Sequence, residues 1–149
     1  MESLLVRGIA DVAARRLATI GAEAPLRQAA RMLAATPVSL VVVCHPGGRM
    51  AGVLSKTDIV RALGAHPEAA PSLPAAEAMT REVVFCRPDE TLDQVLRAMS
   101  ARGLVHMPVL DDEKPLGVIE ARDALRALLG HASYELWHLR DYVMGAGYR

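Results

Sequence analysis

The phrase GVLSKTDIVRAL fills residues 52–63, and GVIEARDALRAL fills residues 117–128. Six of the twelve aligned positions are identical: Gly, Val, Asp, Arg, Ala and Leu. Each phrase reads as the end of an apolar strand, a polar turn and the start of a helix, with an acid (Asp58, Asp123) at the same offset. The likeness extends outward from there. Sliding the chain by 66 residues pairs Ala10 with Ala76, Arg15 with Arg81, Leu26 with Leu92, Gln28 with Gln94 and Arg31 with Arg97. The offset falls to 65 before Gly52 and Gly117, because the turn HPGGR (45–49) is one residue longer than DDEK (111–114). Self-similarity at this period marks two copies of one supersecondary unit.

The unit is read directly. RLATI and EVVFC predict short strands, and LRQAARMLAA and LDQVLRAMSA predict helices, with Leu92, Val95, Leu96 and Met99 along one face. SLVVVC and HMPVL predict strands that turn back into MAGVLS and PLGVIE. Asp58 and Asp123 then open a second helix in each copy. The order is strand, helix, strand, strand, helix, written twice. This divides the chain into a first repeat over 10–65, an exposed linker over 64–75, a second repeat over 76–130 and a tail over 131–149. The tail holds every aromatic residue except Phe85, and Leu136, Leu139 and Val143 predict a short helix that packs on its own chain or on a partner.

Composition bounds the function. The chain has 149 residues, 52% of them hydrophobic and 23% charged, which describes a folded globular protein. Its formal net charge is zero, so no basic field favours nucleic acid or an anionic membrane. The longest purely apolar run, Leu40 to Cys44, is far short of the ~20 residues of a membrane span. No signal-peptide core opens the chain, and Cys44 and Cys86 fall in strand-like stretches as buried free thiols. These features predict a cytoplasmic protein. No nucleophile–base motif, metal-ligand spacing or Gly-rich phosphate loop supports an enzyme, and His138 has no spaced partner for a metal.

Three motifs fill successive places of the repeated unit: AAEAMTREVVFC and His106-Met107-Pro108-Val109 in the second copy, and Gly52-Val53-Leu54-Ser55-Lys56-Thr57-Asp58 in the first. In this arrangement the chain resembles a tandem pair of CBS domains, a Bateman module, over about residues 10–130. The resemblance implies an α/β (α+β) fold of two β-α-β-β-α repeats packed through their sheets with pseudo-twofold symmetry. It also implies two clefts that can hold adenine nucleotides. It places ligand-lining backbone at Ala18 and Val84, second-strand contacts at Val38, Ser39 and His106, and association of pairs into homodimers through the helices carrying Ile59, Val60, Leu63, Leu125, Leu128 and Leu129.

The chemistry of the phrase can be argued independently. Vicinal ribose hydroxyls are two neighbouring donors, and a carboxylate such as Asp58 offers two matching acceptors. At a helix start it lies near the end that also receives phosphates. Ser55 and Thr57 add hydroxyls and Lys56 a cation, while Thr57 and Asp58 equally suit a helix cap. The second copy diverges. Glu120 replaces Ser55 and Arg122 replaces Thr57, so Asp123 keeps its acceptors beside a carboxylate that repels phosphate. Arg122 either grips a phosphate or pairs with Glu120. Ala13 and Met79 stand where the family is frequently polar, which weakens both clefts. The expectation is a regulatory module, with no required cofactor, that senses AMP, ADP, ATP, S-adenosylmethionine or NAD and signals to an unknown regulated protein. The alternative is a structural interaction module with empty clefts.

Overall fold

The computed structural model describes residues 3–35 and 37–131. The expected tail helix and its aromatic residues fall at 132–149, outside the described residues. The elements run α1 (Ala10–Arg15), β1 (Leu17–Gly21), α2 (Leu26–Ala34), β2 (Leu40–Cys44), β3 (Met50–Leu54) and α3 (Lys56–Ala65) in the first repeat. They continue with α4 (Ala75–Ala78), α5 (Leu92–Arg102), β4 (His106–Asp111), β5 (Lys114–Glu120) and a helix α6 over residues 121–131.

In the first repeat β2 is central, parallel to β1 and antiparallel to β3. Its unbroken apolar run is explained by cover on both faces. Val41 and Val43 point into a core with Leu26, Ala29 and Leu33 of α2, and Leu40 and Val42 point toward the other repeat. In the second repeat β4 and β5 form a tight hairpin whose turn residues, Asp112 and Glu113, both have positive φ (51° and 66°), as a two-residue turn of right-handed twist requires. Helix α5 is capped by Thr91, whose hydroxyl accepts the Gln94 amide at 3.2 Å, and it buries Leu92, Val95 and Met99.

EVVFC is not a regular strand. It meets β4 only at Cys86, through Cys86 N–H to Pro108 O (2.9 Å) and Leu110 N–H to Cys86 O (2.9 Å). The next rung of a parallel ladder would need the amide of residue 108 as donor to Val84, and Pro108 has none. Val42 holds the corresponding place in β2, and there the ladder is intact.

The two sheets dock through Leu40, Val42 and Val53 of one and Val118 of the other, all buried. The linker is less exposed than its three prolines suggest. Residues 64–69 are exposed, but Ala70 and Ala75 are fully buried in the core of the first repeat. The corresponding lead-in to the first repeat, with Val6 and Ala13, is buried in the core of the second. Each repeat therefore receives the segment that precedes the other. Thr80 exchanges two backbone bonds with Val53 (2.8 and 3.0 Å), and α1 lies along β5. This exchange gives the repeated glycine its reason. A Cβ on Gly52 would stand 2.6 Å from Thr80 O, and one on Gly117 would stand 2.7 Å from the Ala13 carbonyl carbon.

Candidate ligand site

Both repeated acids are buried at helix starts, and each is gripped by the lead-in segment of the other repeat. Ser55 is the N-cap of α3 and Asp58 its third residue, forming a reciprocal capping box. Asp58 Oδ2 accepts from Ser55 N–H (2.8 Å) and Ser55 Oγ (3.1 Å), while the Ser55 hydroxyl also accepts the Asp58 amide (3.3 Å). Asp58 Oδ1 accepts from Thr80 Oγ1 (3.0 Å) and Arg61 Nη1 (3.1 Å). The cap expected of Thr57 and Asp58 is thus made by Ser55 and Asp58, with Thr57 outside it. Arg61 is 68% exposed, so only its tip is committed.

Asp123 is held differently. Arg16, on the turn between α1 and β1, donates Nε to Oδ2 (2.9 Å) and Nη2 to Oδ1 (3.1 Å), and its Nη1 donates to Pro37 O (3.2 Å). The bond to Asp123 outweighs burial and raises the guanidinium pKa above its ordinary value. Glu120 is buried beside this pair. Its Oε1 accepts Arg122 Nε at 2.7 Å, so Arg122 pairs with Glu120, and its Oε2 is 3.4 Å from Arg16 Nε without a hydrogen bond.

A cavity of about 400 Å³ lies between the repeats. Seven of the eleven expected site residues line it: Ser55, Lys56, Thr57, Val38, Ser39, His106 and Arg122. Arg16, Glu120, Val105 and the Leu33–Ala35 end of α2 complete the wall. The buried Ser39 Oγ lacks a hydrogen-bond partner among the described residues. His106 stands opposite Glu120 in the β4–β5 register; burial lowers its pKa, opposed by the charges of Glu120 and Asp58. Asp58 itself is not on the wall. It is 4% exposed and bonded to Ser55 and Thr80. Asp123 lines a second cavity of about 460 Å³, between α1 and α6, with Arg15, Arg126 and an apolar wall that includes Ile9 and Val12. Arg16 and Pro37 border both cavities. Ala18 on β1 and Val84 on the irregular segment are half-buried against the two cores and line neither cavity.

Sequence reasoning missed Arg16 and the bond from Thr80. Thr80 was visible within the AMT phrase as a motif residue. Arg16 carries no local signal, because its partner lies 107 residues away. Cys44 and Cys86 are free, and burial pushes the Cys86 thiol up to about 12. Among the described residues no group of acidic, His or Cys side chains is placed to hold a metal, and no helix is long and apolar enough to cross a membrane.

Comparison with known proteins agrees with this architecture. The family model for the CBS domain matches residues 9–65 and 75–130. The CBS domain-containing protein CBSX3, mitochondrial, of Arabidopsis thaliana is 25% identical over 112 residues, 72% of this chain and 54% of its own length. The homoserine O-acetyltransferase of Methanohalophilus mahii is 24% identical over 82% of this chain but only 24% of its own length. The chain thus spans about half, and about a quarter, of these two curated relatives. The crystal structure of the CBS domain pair of protein MJ0100, in complex with 5′-methylthioadenosine and S-adenosyl-L-methionine, superposes with a TM-score of 0.72 and 25% identity, covering 87% of this chain and 99% of that one. With two matched repeats, each packed against the lead-in of the other, the chain belongs to the CBS-domain family as a tandem pair.

Proposed function

We propose that this CBS pair is a regulatory module that binds an adenosine-containing ligand, with its phosphate or other polar end in the cavity between the repeats and its ribose at Asp58. The observation that carries the reading is the cavity itself. Its volume is in the range of small-molecule sites, and Ser55, Lys56 and Thr57 from one repeat converge there with His106 and Arg122 from the other. Lys56 has no ion-pair partner among the described residues and is free to meet an anion. AMP, ADP, ATP, S-adenosylmethionine and NAD share the required ribose, and the similar pair crystallised with two adenosine compounds supports the class. The aligned portion covers only a quarter of the acetyltransferase, so sensing rather than catalysis is the reading for this chain. Two free thiols fit a reducing compartment such as the cytoplasm.

A second reading has its own support. Both acids are satisfied within the chain, and Val60 and Leu63 of α3 and Leu125 and Leu129 of α6 are 45–66% exposed. These helix faces fit a homodimer or a docked regulated protein even with empty clefts. Thermal unfolding across the adenosine panel decides between the two. A ligand of the native state at 100 times its Kd adds about 2.7 kcal/mol of stability. No shift with any member of the panel leaves the interaction module as the function.

A further inference from the structure

We propose that Arg16 is the specificity-determining residue of the pair: by occupying both oxygens of Asp123 it denies that acid to a ribose and leaves a single adenosine site per chain, at Asp58. The inference rests on the adenosine reading above and asks which of the two repeated acids is available.

A carboxylate recognises a vicinal diol by accepting two parallel hydrogen bonds, one at each oxygen. The Nε–H and Nη2–H fork of an arginine presents two donors in the same way, with a positive charge added. Arg16 does this to Asp123 at 2.9 and 3.1 Å. The pair is secluded from water, with side chains 14% and 5% exposed. Two further contacts fix the guanidinium, to Pro37 O at 3.2 Å and to Glu120 Oε2 at 3.4 Å. A neutral ribose competing for Asp123 would have to extract this arginine and leave the buried Asp123 carboxylate without its ion-pair partner.

Asp58 lacks such a plug. Among the described residues its one cation is Arg61, which reaches one oxygen from the surface with 68% of its side chain exposed. Its other partners are one amide and two hydroxyls, those of Ser55 and Thr80. Arg61 is held by this one bond at the surface, and a ligand hydroxyl that takes the place of its tip leaves the buried Asp58 carboxylate still bonded by the Ser55 amide and by the Ser55 and Thr80 hydroxyls. Arg16 also stands on the wall of both cavities, so its side chain partitions the space beside Asp123 from the space beside Lys56. A phosphate lodged near Lys56 and a ribose lodged at Asp123 are thereby separated.

Isothermal titration of the full chain with AMP, ATP and S-adenosylmethionine, each in turn, reads the stoichiometry directly. The wild type is expected to bind one ligand per chain, lost in Asp58→Ala. Arg16→Met removes the fork, and Arg16→Lys keeps a positive charge beside Asp123 but replaces the two-point fork with a single ammonium that a two-donor diol can displace. Both are expected to bind two ligands per chain, and adding Asp123→Ala to Arg16→Met is expected to remove the second. Far-ultraviolet circular dichroism reports whether each variant folds; if Arg16→Met does not, Arg16→Lys decides alone. A merely structural role for Arg16 would change stability and leave the stoichiometry at one. Two ligands on the wild type, or one on every folded Arg16 variant, overturns the proposal. If the wild type binds none of the three and an Arg16 variant binds one, the role of Arg16 stands and the Asp58 assignment falls. If no protein binds any of them, both fall.

Discussion

A methyl group added at Gly117 tests how closely the repeats are joined. In Gly117→Ala the new Cβ would lie 2.7 Å from both the carbonyl carbon and Cβ of Ala13 and 2.9 Å from its carbonyl oxygen. Two of these atoms are backbone, so no side-chain rotation relieves the clash, and α1 must move off β5. Overpacking of this kind costs about 1–3 kcal/mol. For a chain of this size that lowers Tm by about 2–12 °C. Gly52→Ala meets Thr80 O at 2.6 Å and the flexible Met79 Sδ at 2.7 Å, and it belongs to the same class. Gly64, inside α3, supplies the internal control: nothing lies within 4 Å of its added Cβ. There the same substitution raises helix propensity and stabilises by up to about 1 kcal/mol. Urea unfolding followed by circular dichroism gives all three values under one protocol. The expected signs are loss at 52 and 117 and gain at 64. A Gly117→Ala protein within about 0.5 kcal/mol of wild type, the range of an ordinary surface change, would refute the close packing of the first lead-in segment on the second repeat.

Three further outcomes are expected. Asp58→Ala should cost about 0.5–2 kcal/mol of stability through loss of the capping box. It should also lower adenosine-ligand affinity about tenfold to a hundredfold, as read by calorimetry. Burial depresses the pKa of His106 in the folded state, so its contribution to stability is complete above the unfolded value of about 6.5 and falls as pH drops through the folded value; urea unfolding between pH 7.5 and 5 should show a shallower dependence in His106→Gln. The wild type should scatter light as a dimer at micromolar concentration, and Leu125→Glu, on a face that is 50% exposed in the single chain, should yield monomers without loss of helical signal.

Much of the fold was legible because repetition and burial both leave marks in the local sequence. The run LVVVC must be covered on both sides, and it became the central strand of the first sheet. The apolar spacing of Leu92, Val95 and Met99 became the buried face of α5. A cap at the start of α3 was legible in Asp58, although Ser55 and not Thr57 is its partner. The reading failed where the cause lay elsewhere in the chain. EVVFC has strand composition, yet its neighbour in space is Pro108, which cannot donate the next ladder bond. The 64–75 linker has loop composition, yet Ala70 and Ala75 fill holes in a core built by α2 and α3. Arg16 carries no signal in its own neighbourhood, and only the fold brings it to Asp123. Local pattern predicts local structure, and contacts across a hundred residues are set by the docking of whole repeats.

On the proposed reading, that docking gives a ligand at one acid a route to the whole module. Neither acid is bonded only within its own repeat. Asp58 of the first repeat accepts from Thr80 at the start of the second, and Asp123 of the second accepts from Arg16 at the start of the first. A ribose arriving at Asp58 competes for Oδ1, the oxygen that Thr80 and Arg61 share. Thr80 is not free to adjust alone, since its backbone is paired to Val53 in both directions and its carbonyl abuts Gly52. Displacing its hydroxyl therefore strains the seam between repeats, while displacing Arg61 does not. A ligand shifts a conformational equilibrium only by binding its two states unequally. The Thr80 hydroxyl can supply that inequality, because a ligand that displaces it from Oδ1 removes a bond between the repeats and a ligand that displaces Arg61 instead leaves that bond in place. Through this contact the chemistry of the ligand, rather than occupancy alone, can set the packing of the pair.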